Sequence, residues 1–281
     1  MDRYAVVGHP ISHSRSPWIH GQFALQTGQS LQYTAMDVEP EQFEASITRF
    51  FAEAGAGLNI TVPFKERACA MARKRSPAVE ACGAANTLYL DVDGVLCAEN
   101  TDGHGLLQDL IANHGARIAD RRILLLGAGG AVRGVIPALL EQRPSHISIM
   151  NRTHDKAIQL AEHFRGGVDI TASPSEIAFA RPFDLIINGT SAGLQGELPC
   201  VPEGAVHAQT WCYDMVYGKG ETAFVRWARQ AGAEKAIDGL GMLVEQAAKA
   251  FLIWRGVTPS TAAIIHSLRQ ELAAPSPDSR P

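Results

Sequence analysis

Lys65 is the residue whose type and position point most directly to acid–base chemistry. It follows an apolar strand and Pro63, at a point where the chain is expected to leave the sheet. A lysine in water has a pKa of about 10.4, whereas one beside an apolar strand is a candidate for a lowered pKa. The alternative interpretation is a solvated surface charge, which is the ordinary setting of a lone lysine.

Three polar clusters in the first half of the chain are unusual for their setting. Ser14 and Ser16 come just before the start of a predicted helix, which suits the binding of a carboxylate. The alternative for Ser16 is a helix N-cap. Asn59 and Thr61 alternate along one strand and therefore share a face. Amides and one carboxylate also stand at the ends of two later strands: Asn86, Asn100 and Asp102.

A glycine-rich turn at residues 127–130 follows one predicted strand and begins a helix. In this context Gly127 permits a tight turn, and Gly129 lets backbone amides approach a pyrophosphate at the helix N-terminus. The third small position of the usual motif is Val132 here, which predicts a slightly wider spacing between helix and strand. The alternative is a glycine-rich turn without a ligand.

The residues after the next strand predict which nucleotide binds. A site that prefers NAD places an acidic residue about 20 residues beyond the turn, where it accepts from the ribose 2′-hydroxyl. This chain has Asn151, Arg152 and Thr153 there. A guanidinium and two short polar side chains suit a 2′-phosphate, so the sequence predicts NADP. Thr153 can also serve as a helix N-cap.

The order of apolar runs and amphipathic stretches predicts an α/β fold. In the first half we expect a helix that begins with Ser16 as N-cap and ends at Gly28, and another from Asp102 to His114. In the second half, short buried strands alternate with helices, as in a parallel Rossmann-type sheet. We therefore predict a domain at 1–103, a Rossmann-type nucleotide domain at 104–239, helices at 240–273 that return to the first domain, and a disordered tail at 274–281.

Composition excludes several classes of protein. The 281 residues suggest two domains at about 150 residues each. A net charge of −4 without a basic run argues against nucleic acid as a partner, and no apolar stretch is long enough to span a membrane. The first residues do not resemble a secretory signal, and an odd number of dispersed cysteines fits a reducing cytoplasm. His9, His13 and His20 lack metal-ligand spacing, so we predict no metal site and expect these histidines at caps or in solvent.

Nine short strings together identify a resemblance that covers nearly the whole chain. They are SHSRSP, NITVPFK, GAANTL, NTDG, GAGGAVRG, NRT, NGTSAGL, DMVYGKGETAF and DGLGMLVEQAA. Their order and spacing resemble those of the shikimate dehydrogenases. The resemblance implies a two-domain α/β enzyme that reversibly reduces 3-dehydroshikimate to shikimate with NADPH, in the pathway to aromatic amino acids.

The resemblance also implies a role for each matching residue. Lys65 and Asp102 would form the catalytic pair. Ser14 and Ser16 would hold the substrate carboxylate, with Tyr217 closing over it from the second domain. The remaining substrate contacts, with Asn59 added for its place beside Thr61, would be Asn59, Thr61, Asn86, Asp102 and Gln246. The cofactor would be held by Gly127, Ala128, Gly129, Gly130, Ala131, Asn151, Arg152, Thr153, Met215 and Gly239. Thr190, at the end of another predicted strand, is a further candidate for a cofactor contact, and a structural role is the alternative.

The residue chemistry agrees with these roles. Oxidation of a secondary alcohol requires a hydride to leave carbon while a base takes the hydroxyl proton, and Lys65 can be that base. Asp102 would orient the hydroxyl and hold the ammonium. A neighbouring carboxylate raises a lysine pKa and burial lowers it, so no pKa is predicted for Lys65.

Two alternative functions stay open from the sequence. One is a quinate/shikimate dehydrogenase that uses NAD, and the other is a non-catalytic NADPH-binding sensor. We further expect closure of the two domains on their ligands, a cytoplasmic location, small-molecule partners without nucleic acid or membrane, and a monomer or homodimer.

Overall fold

The structure is a computed structural model that describes residues 1–174 and 178–273. The predicted disordered tail, residues 274–281, lies outside the described residues. Contacts divide the chain into two compact units. The first unit contains Met1–Asp109, Arg133–Ala138 and Leu243–Thr261, and the second contains the remaining described residues. Within the described part, no helix has both the length and the apolar character needed to cross a membrane.

Twelve strands and ten α-helices alternate along the described chain. The strands are β1 (Asp2–Gly8), β2 (Leu31–Asp37), β3 (Gly55–Ile60), β4 (Lys74–Arg75), β5 (Thr87–Leu90), β6 (Leu96–Glu99), β7 (Arg122–Leu126), β8 (His146–Met150), β9 (Asp169–Ser173), β10 (Leu185–Asn188), β11 (Trp211–Asp214) and β12 (Lys235–Asp238). The helices are α1 (Ser16–Thr27), α2 (Phe43–Ala52), α3 (Lys65–Met71), α4 (Pro77–Cys82), α5 (Asp102–Leu107), α6 (Gly130–Glu141), α7 (His154–His163), α8 (Ala223–Gln230), α9 (Leu240–Arg255) and α10 (Ala262–Ala273).

The first unit is built on a six-stranded mixed sheet in the order β2-β1-β3-β5-β6-β4. Strand β1 is parallel to β2 and β3, and β5 is antiparallel to β3 and β6. The middle of β1 is apolar at every position because both faces of the sheet are covered. Ala5 and Val7 pack in the cluster that contains Phe43 and Phe64, while Tyr4 packs on the opposite side against Trp254 of α9.

The second unit contains a six-stranded sheet in the order β12-β11-β10-β7-β8-β9, and every pair in it is parallel. Counted from β7, this order is 3-2-1-4-5-6, that of a dinucleotide-binding Rossmann fold. The order reverses between β7 and β10, so residues that follow the carboxyl ends of these strands flank the switch point at which ligands bind in open α/β sheets. The predicted α/β class with a Rossmann-type second part is confirmed.

Three local predictions differ from the structure. Ser16 is the first residue of α1, and Arg15 occupies the N-cap position. The helix predicted from Asp102 is α-helical to Leu107 and then continues as a π-helix to Asn113. His20 is 1% exposed and its imidazole stacks on the ring of Tyr33, which corrects the prediction of a capping or solvent-exposed histidine. Contacts group most of α9 with the first unit and α10 with the second. The C-cap at Gly28 is as predicted, with φ of 65° and its N–H donating to the carbonyl of Ala24.

Candidate active site

Lys65 begins α3, and the chain around it is anchored on both sides. Phe64 is fully buried and stacks on Phe43 of α2, with 4.4 Å between ring centroids. The Lys65 carbonyl accepts from the N–H of Ala85 at 2.9 Å, which ties the start of α3 to the segment before β5. The Lys65 Nζ lies 2.5 Å from Oδ2 of Asp102, and their side chains are 12% and 8% exposed. The two predicted catalytic residues therefore form a nearly buried ion pair.

Asp102 is held at the first turn of α5 by a neighbouring asparagine. Its N–H donates to Oδ1 of Asn100 at 3.0 Å, and the amide of Asn100 donates to the carbonyl of Ala84 at 2.9 Å. Helix α6 passes close by at Gly134, where a Cβ would lie 3.2 Å from Oδ2 of Asp102 and 2.9 Å from the amide nitrogen of Asn100. Glycine at this position lets the helix approach the carboxylate.

Asn86 joins the ion pair to the polar residues around it. Its Nδ2 donates to Oδ1 of Asp102 at 2.9 Å and to the Thr101 hydroxyl at 2.8 Å, and lies 3.3 Å from Oε1 of Gln246. Its Oδ1 accepts from the N–H of Thr101 and from the hydroxyl of Thr87, both at 2.9 Å. One oxygen of Asp102 thus faces Lys65 while the other faces Asn86, which fixes the plane of the carboxylate.

The two predicted carboxylate-binding serines lie at the start of α1. The Ser14 hydroxyl oxygen accepts from the N–H of Ser16 at 3.3 Å, so its own proton stays available for an acceptor. Ser16 is buried. Thr61 follows β3 with its side chain half-buried, and its methyl group occupies the space that a Cβ on Gly8 would need.

Asn59 differs from the other predicted substrate contacts. It is 6% exposed, and both ends of its amide are bonded within the protein. Its Oδ1 accepts from the Tyr33 hydroxyl at 2.6 Å, and its Nδ2 faces the carbonyl of Asn86 at 3.3 Å and the hydroxyl of Thr87 at 3.2 Å. These contacts tie Asn59 to Asn86 and Thr87, and its contact with the substrate stays a prediction.

Several residues of this cluster were not singled out from the sequence. Tyr33 lies inside a strand of ordinary composition, so nothing local marked it. Gly134 did carry a signal, because a glycine inside a helix destabilises it by about 1 kcal/mol relative to alanine and often marks a close approach. Thr87 and Thr101 each follow an asparagine of the cluster. The tertiary structure brings both of their hydroxyl groups into hydrogen bonds with Asn86.

The glycine-rich turn of the second unit is open to a ligand. Gly127 has φ of 109°, a conformation that favours glycine, and its N–H donates to the carbonyl of Met150 at 2.7 Å. Gly129 is the N-cap of the 12-residue helix α6 and supplies no side-chain cap, and a Cβ placed on it would meet nothing within 4 Å. The first amides of α6 are therefore not capped by a side chain and suit a pyrophosphate.

Val132 occupies the third position of the glycine motif without a steric conflict. It is fully buried, and its Cγ2 lies 2.5 Å from the point where a Cβ on Gly189 would stand. The same methyl group lies 3.3 Å from the corresponding point on Gly127. The valine is thus accommodated by a glycine on the neighbouring strand end, a compensation that the motif alone does not show.

The residues after β8 fit a phosphate on the ribose. Arg152 and Thr153 are exposed, and Asn151 donates to the carbonyl of Thr153 at 2.9 Å. Thr153 occupies the N-cap position of α7 but makes no side-chain cap bond. In the described part of the chain, Arg152 has no carboxylate partner. These side chains suit a 2′-phosphate, so the residues present fit NADP.

The other predicted cofactor residues follow three neighbouring strands of the same sheet. Thr190 donates from its N–H and its hydroxyl to Oδ1 of Asn188, at 3.0 and 2.8 Å. The N–H of Met215 donates to the carbonyl of Asn188 at 2.8 Å. Gly239 is buried so close to Met215 that a Cβ would lie 2.4 Å from its carbonyl oxygen. Tyr217 is half-buried two residues beyond Met215, and its approach to the substrate stays a prediction.

A second buried carboxylate supports this end of the second sheet. Asp214 is 0% exposed and accepts from Nδ2 of Asn188 at 2.9 Å, from the N–H of Val216 at 3.1 Å and from the hydroxyl of Thr222 at 2.5 Å. Burial raises the pKa of Asp214, and these hydrogen bonds oppose that rise. The network fixes both ends of the loop at 215–222, which carries Met215 and Tyr217.

Comparison with known proteins agrees with this geometry. Residues 6–88 match the family model described as shikimate dehydrogenase substrate binding domain, residues 109–197 match shikimate / quinate 5-dehydrogenase, and residues 239–269 match the shikimate 5'-dehydrogenase C-terminal domain. A shikimate dehydrogenase (NADP(+)) from Alkalilimnicola ehrlichii is 54% identical over 96% of this chain and 99% of its own length.

Solved structures give the same result. The Ael1 enzyme from Pseudomonas putida superposes with a TM-score of 0.88 at 44% identity, over 98% of this chain and 99% of that one. Shikimate 5-dehydrogenase from Thermus thermophilus, in complex with NADP(H) and shikimate, superposes with a TM-score of 0.84 at 34% identity, over 96% and 99% of the two chains. The chain belongs to the shikimate dehydrogenase family.

Proposed function

We propose that this chain interconverts shikimate and 3-dehydroshikimate with NADP(H), and that Lys65 and Asp102 are the residues that carry out the acid–base chemistry. Its membership of the family and its NADP-dependent relatives support the reaction. The observation that carries the catalytic assignment is the nearly buried Lys65–Asp102 pair, bonded to Asn86. The reaction places the enzyme in the pathway to aromatic amino acids.

Bound NADPH supplies the hydride that reduces the substrate ketone. In that direction the Lys65 ammonium hydrogen-bonds the ketone oxygen and gives it a proton as the alcohol forms. In the reverse direction the Lys65 amine takes the hydroxyl proton while the hydride leaves the same carbon for NADP⁺. Charge and atoms balance, because the alcohol loses one hydride and one proton.

Asp102 positions Lys65 and keeps a charge opposite it. Its Oδ2 contacts the ammonium and its Oδ1 accepts from Asn86, so neither oxygen can rotate without losing a hydrogen bond. The low exposure of the Lys65 and Asp102 side chains strengthens their interaction relative to a pair in water.

We propose that the first unit binds the substrate and the second binds the cofactor. Ser14 and Ser16 would hold the substrate carboxylate, since a helix N-terminus and hydroxyl donors suit an anion. Thr61, Asn86 and Gln246 would bind the ring hydroxyls, together with Asp102. Such a site rejects analogues that lack a hydroxyl, because its own buried polar groups would then be left unpaired.

For the cofactor, the turn at 127–131 would hold the pyrophosphate, and Asn151, Arg152 and Thr153 would hold the 2′-phosphate. Thr190, Met215 and Gly239 would line the rest of the site. Residues 151–153, directly after β8, include no acidic residue, which disfavours NAD, the cofactor of the alternative quinate/shikimate dehydrogenase. We also propose a cytoplasmic enzyme, since an odd number of dispersed cysteines suits a reducing compartment, and one that is a monomer or homodimer.

The test is the appearance of reduced nicotinamide with purified protein, shikimate and NADP⁺. We expect turnover with this pair, slower turnover when NAD⁺ replaces NADP⁺, and less still when quinate replaces shikimate. A clear preference for NAD⁺ or quinate would favour the alternative dehydrogenase. Tight NADPH binding without turnover of any of these acids would favour a non-catalytic sensor.

A further inference from the structure

Arg269 of α10 holds a buried aspartate at the end of β12. Its two terminal nitrogens donate to the two carboxylate oxygens of Asp238, Nη2 to Oδ1 at 2.6 Å and Nη1 to Oδ2. The side chain of Asp238 is 8% exposed, whereas that of Arg269 is 50% exposed. Two parallel hydrogen bonds from one guanidinium fix both the distance and the plane of a carboxylate. Helix α10 is therefore joined to the carboxyl end of β12 within the second unit.

Helix α10 presents Arg269 from a packed position. The side chains of Ile264, Leu268 and Leu272 are buried, and their spacing places them on one face of the helix. Because Arg269 directly follows Leu268 in the chain, the burial of this face limits where the guanidinium can stand.

A like charge beside Asp238 makes this cation important. Asp238 is the register partner of Asp214 in the parallel pair β11–β12. Burial raises the pKa of Asp214, and the charge of Asp238 adds to that rise. The hydrogen-bond donors to Asp214 are an amide, a hydroxyl and a backbone N–H, whereas Arg269 brings a positive charge to Asp238. Loss of this charge would leave a buried carboxylate unpaired beside another one, which is strongly unfavourable.

Asp238 in turn fixes the position of Gly239. Its Oδ1 accepts from the N–H of Leu240 at 3.3 Å, so the aspartate bonds the backbone on the far side of the glycine. The N–H of Gly239 donates to the carbonyl of Val216 at 3.1 Å. A Cβ on Gly239 would lie 2.4 Å from the carbonyl oxygen of Met215. These contacts leave no free space, so a shift of Asp238 changes the contact between Gly239 and Met215.

We propose that Arg269 is a positioning residue of the cofactor site. Through Asp238 it holds Gly239 against Met215. This inference rests on the proposed function, which assigns Gly239 and Met215 to the part of the cofactor site beyond the phosphate contacts. NADP and NAD differ only in the 2′-phosphate, so this part of the site serves both cofactors alike. Arg269 therefore affects the binding of both, in contrast to Arg152.

The test is the variant Arg269→Gln, which removes the charge and keeps a polar side chain. The carboxylate of Asp238 then loses its cation, and the strand end that carries Gly239 shifts. We expect the KM for NADP⁺ and the KM for NAD⁺ each to rise about tenfold, while the KM for shikimate stays within about twofold. Unchanged KM values for both cofactors, or an equal rise in the KM for shikimate, would show that the positioning role is wrong.

A double variant separates the effect of the charge from a general loss of packing. When Asp238→Asn is combined with Arg269→Gln, two amides face each other and no buried charge is left unpaired. We expect this double variant to have lower KM values for both cofactors than Arg269→Gln alone. KM values equal to or above those of Arg269→Gln would mean that Arg269 does not act through Asp238, and the proposal would fail.

Arg117→Gln is the matched control. Arg117 also pairs with an aspartate of the second unit, Asp120, but the two side chains are 68% and 82% exposed. An exposed ion pair contributes little, so we expect unchanged KM values for both cofactors. A rise as large as that in Arg269→Gln would overturn the proposal.

Should Arg269→Gln fail to fold, Arg269→Lys keeps the charge and loses the two parallel hydrogen bonds. We expect this variant to raise the KM for both cofactors about threefold, and unchanged values would overturn the proposal. Failure of the wild-type protein to oxidise shikimate would refute the proposed function instead. In that case, titration of wild type and Arg269→Gln with NADP⁺ and with NAD⁺ still tests the role of Arg269.

Discussion

Each unit contains one buried aspartate that accepts from an asparagine at 2.9 Å: Asp102 from Asn86, and Asp214 from Asn188. Asp102 also contacts the ammonium of Lys65 and retains slight exposure. Asp214 is fully buried, and in the described structure its other partners are a hydroxyl and a backbone N–H. The same carboxylate–amide unit therefore serves two purposes.

The two aspartates differ in the group that contacts the carboxylate oxygen not bonded to asparagine. This group is the ammonium of Lys65 at Asp102 and the hydroxyl of Thr222 at Asp214. A cation beside Asp102 makes a charged pair that can pass a proton to a ligand. Neutral donors around Asp214 hold a loop in place, and burial raises the pKa of this carboxyl group. Under the proposed mechanism, a buried aspartate is thus a catalytic partner in one unit, and in the other it supports a loop.

The largest expected effect is that of Lys65→Ala. Loss of the general acid–base group should lower kcat about 1,000-fold and leave the affinity for NADP⁺ unchanged. Lys74→Ala is the matched control, because Lys74 also lies 2.5 Å from an aspartate, Asp91, but its side chain is 58% exposed. For each variant, steady-state rates measure kcat and a titration with NADP⁺ measures the affinity for the cofactor. Normal turnover by Lys65→Ala would refute the proposed mechanism.

Neutralising the two aspartates compares them directly. Asp102→Asn should lower kcat about 100-fold, because the ammonium of Lys65 loses its buried counter-charge. Asp214→Asn should keep kcat within about threefold, because its neighbours are neutral donors. Equal losses of kcat in the two variants would mean that the distinction drawn between the carboxylates is false.

Arg152→Ala tests whether the second unit recognises charge on the cofactor. Removal of the guanidinium should raise the KM for NADP⁺ about tenfold, because a charge-assisted contact to a phosphate is lost. The KM for NAD⁺, which has no 2′-phosphate, serves as the internal control and should change little. A parallel rise for both cofactors would contradict the assigned role.

The smallest expected effect is a pH dependence of stability at Asp214. Because burial raises its pKa above 3.8, the protonated form is favoured in the folded protein, and the associated stability is lost as pH rises through that raised pKa. Asp214→Asn cannot ionise, so its deficit in unfolding free energy relative to wild type, about 1 kcal/mol near pH 4, should shrink toward neutral pH. Urea unfolding at several pH values measures this deficit, and a deficit that grows with pH would contradict the prediction.

Much of the fold follows from local patterns. Runs of apolar residues predict the strands. The glycine-rich turn after β7 predicts the dinucleotide-binding motif, because the backbone geometry of that turn requires glycine at fixed spacing. The helix boundaries were less predictable. Ser16 was expected at the N-cap, yet the preceding turn places Arg15 there, because Ser14 already bonds the Ser16 N–H.

The residues of the candidate site that could do chemistry were predictable from the sequence. The residues that pack around them and hold them in place were less predictable. Lys65, Asn86 and Asp102 were identified by type and motif, and the structure brings them together. Tyr33, His20 and Gly134 were not, since their importance depends on neighbours that are distant in sequence. No local pattern reveals that Tyr33 of β2 will donate to Asn59 of β3.

By itself, the sequence determined the α/β class, the nucleotide turn and the candidates for acid–base chemistry, because each depends on side-chain type at short spacing. The tertiary structure decided which buried carboxylate receives a cation and which is held by neutral donors. It also decided that Val132 fits against Gly189 and that the Tyr33 hydroxyl donates to Asn59. Such outcomes depend on contacts between strands and helices far apart in the chain, which only packing brings within hydrogen-bonding distance.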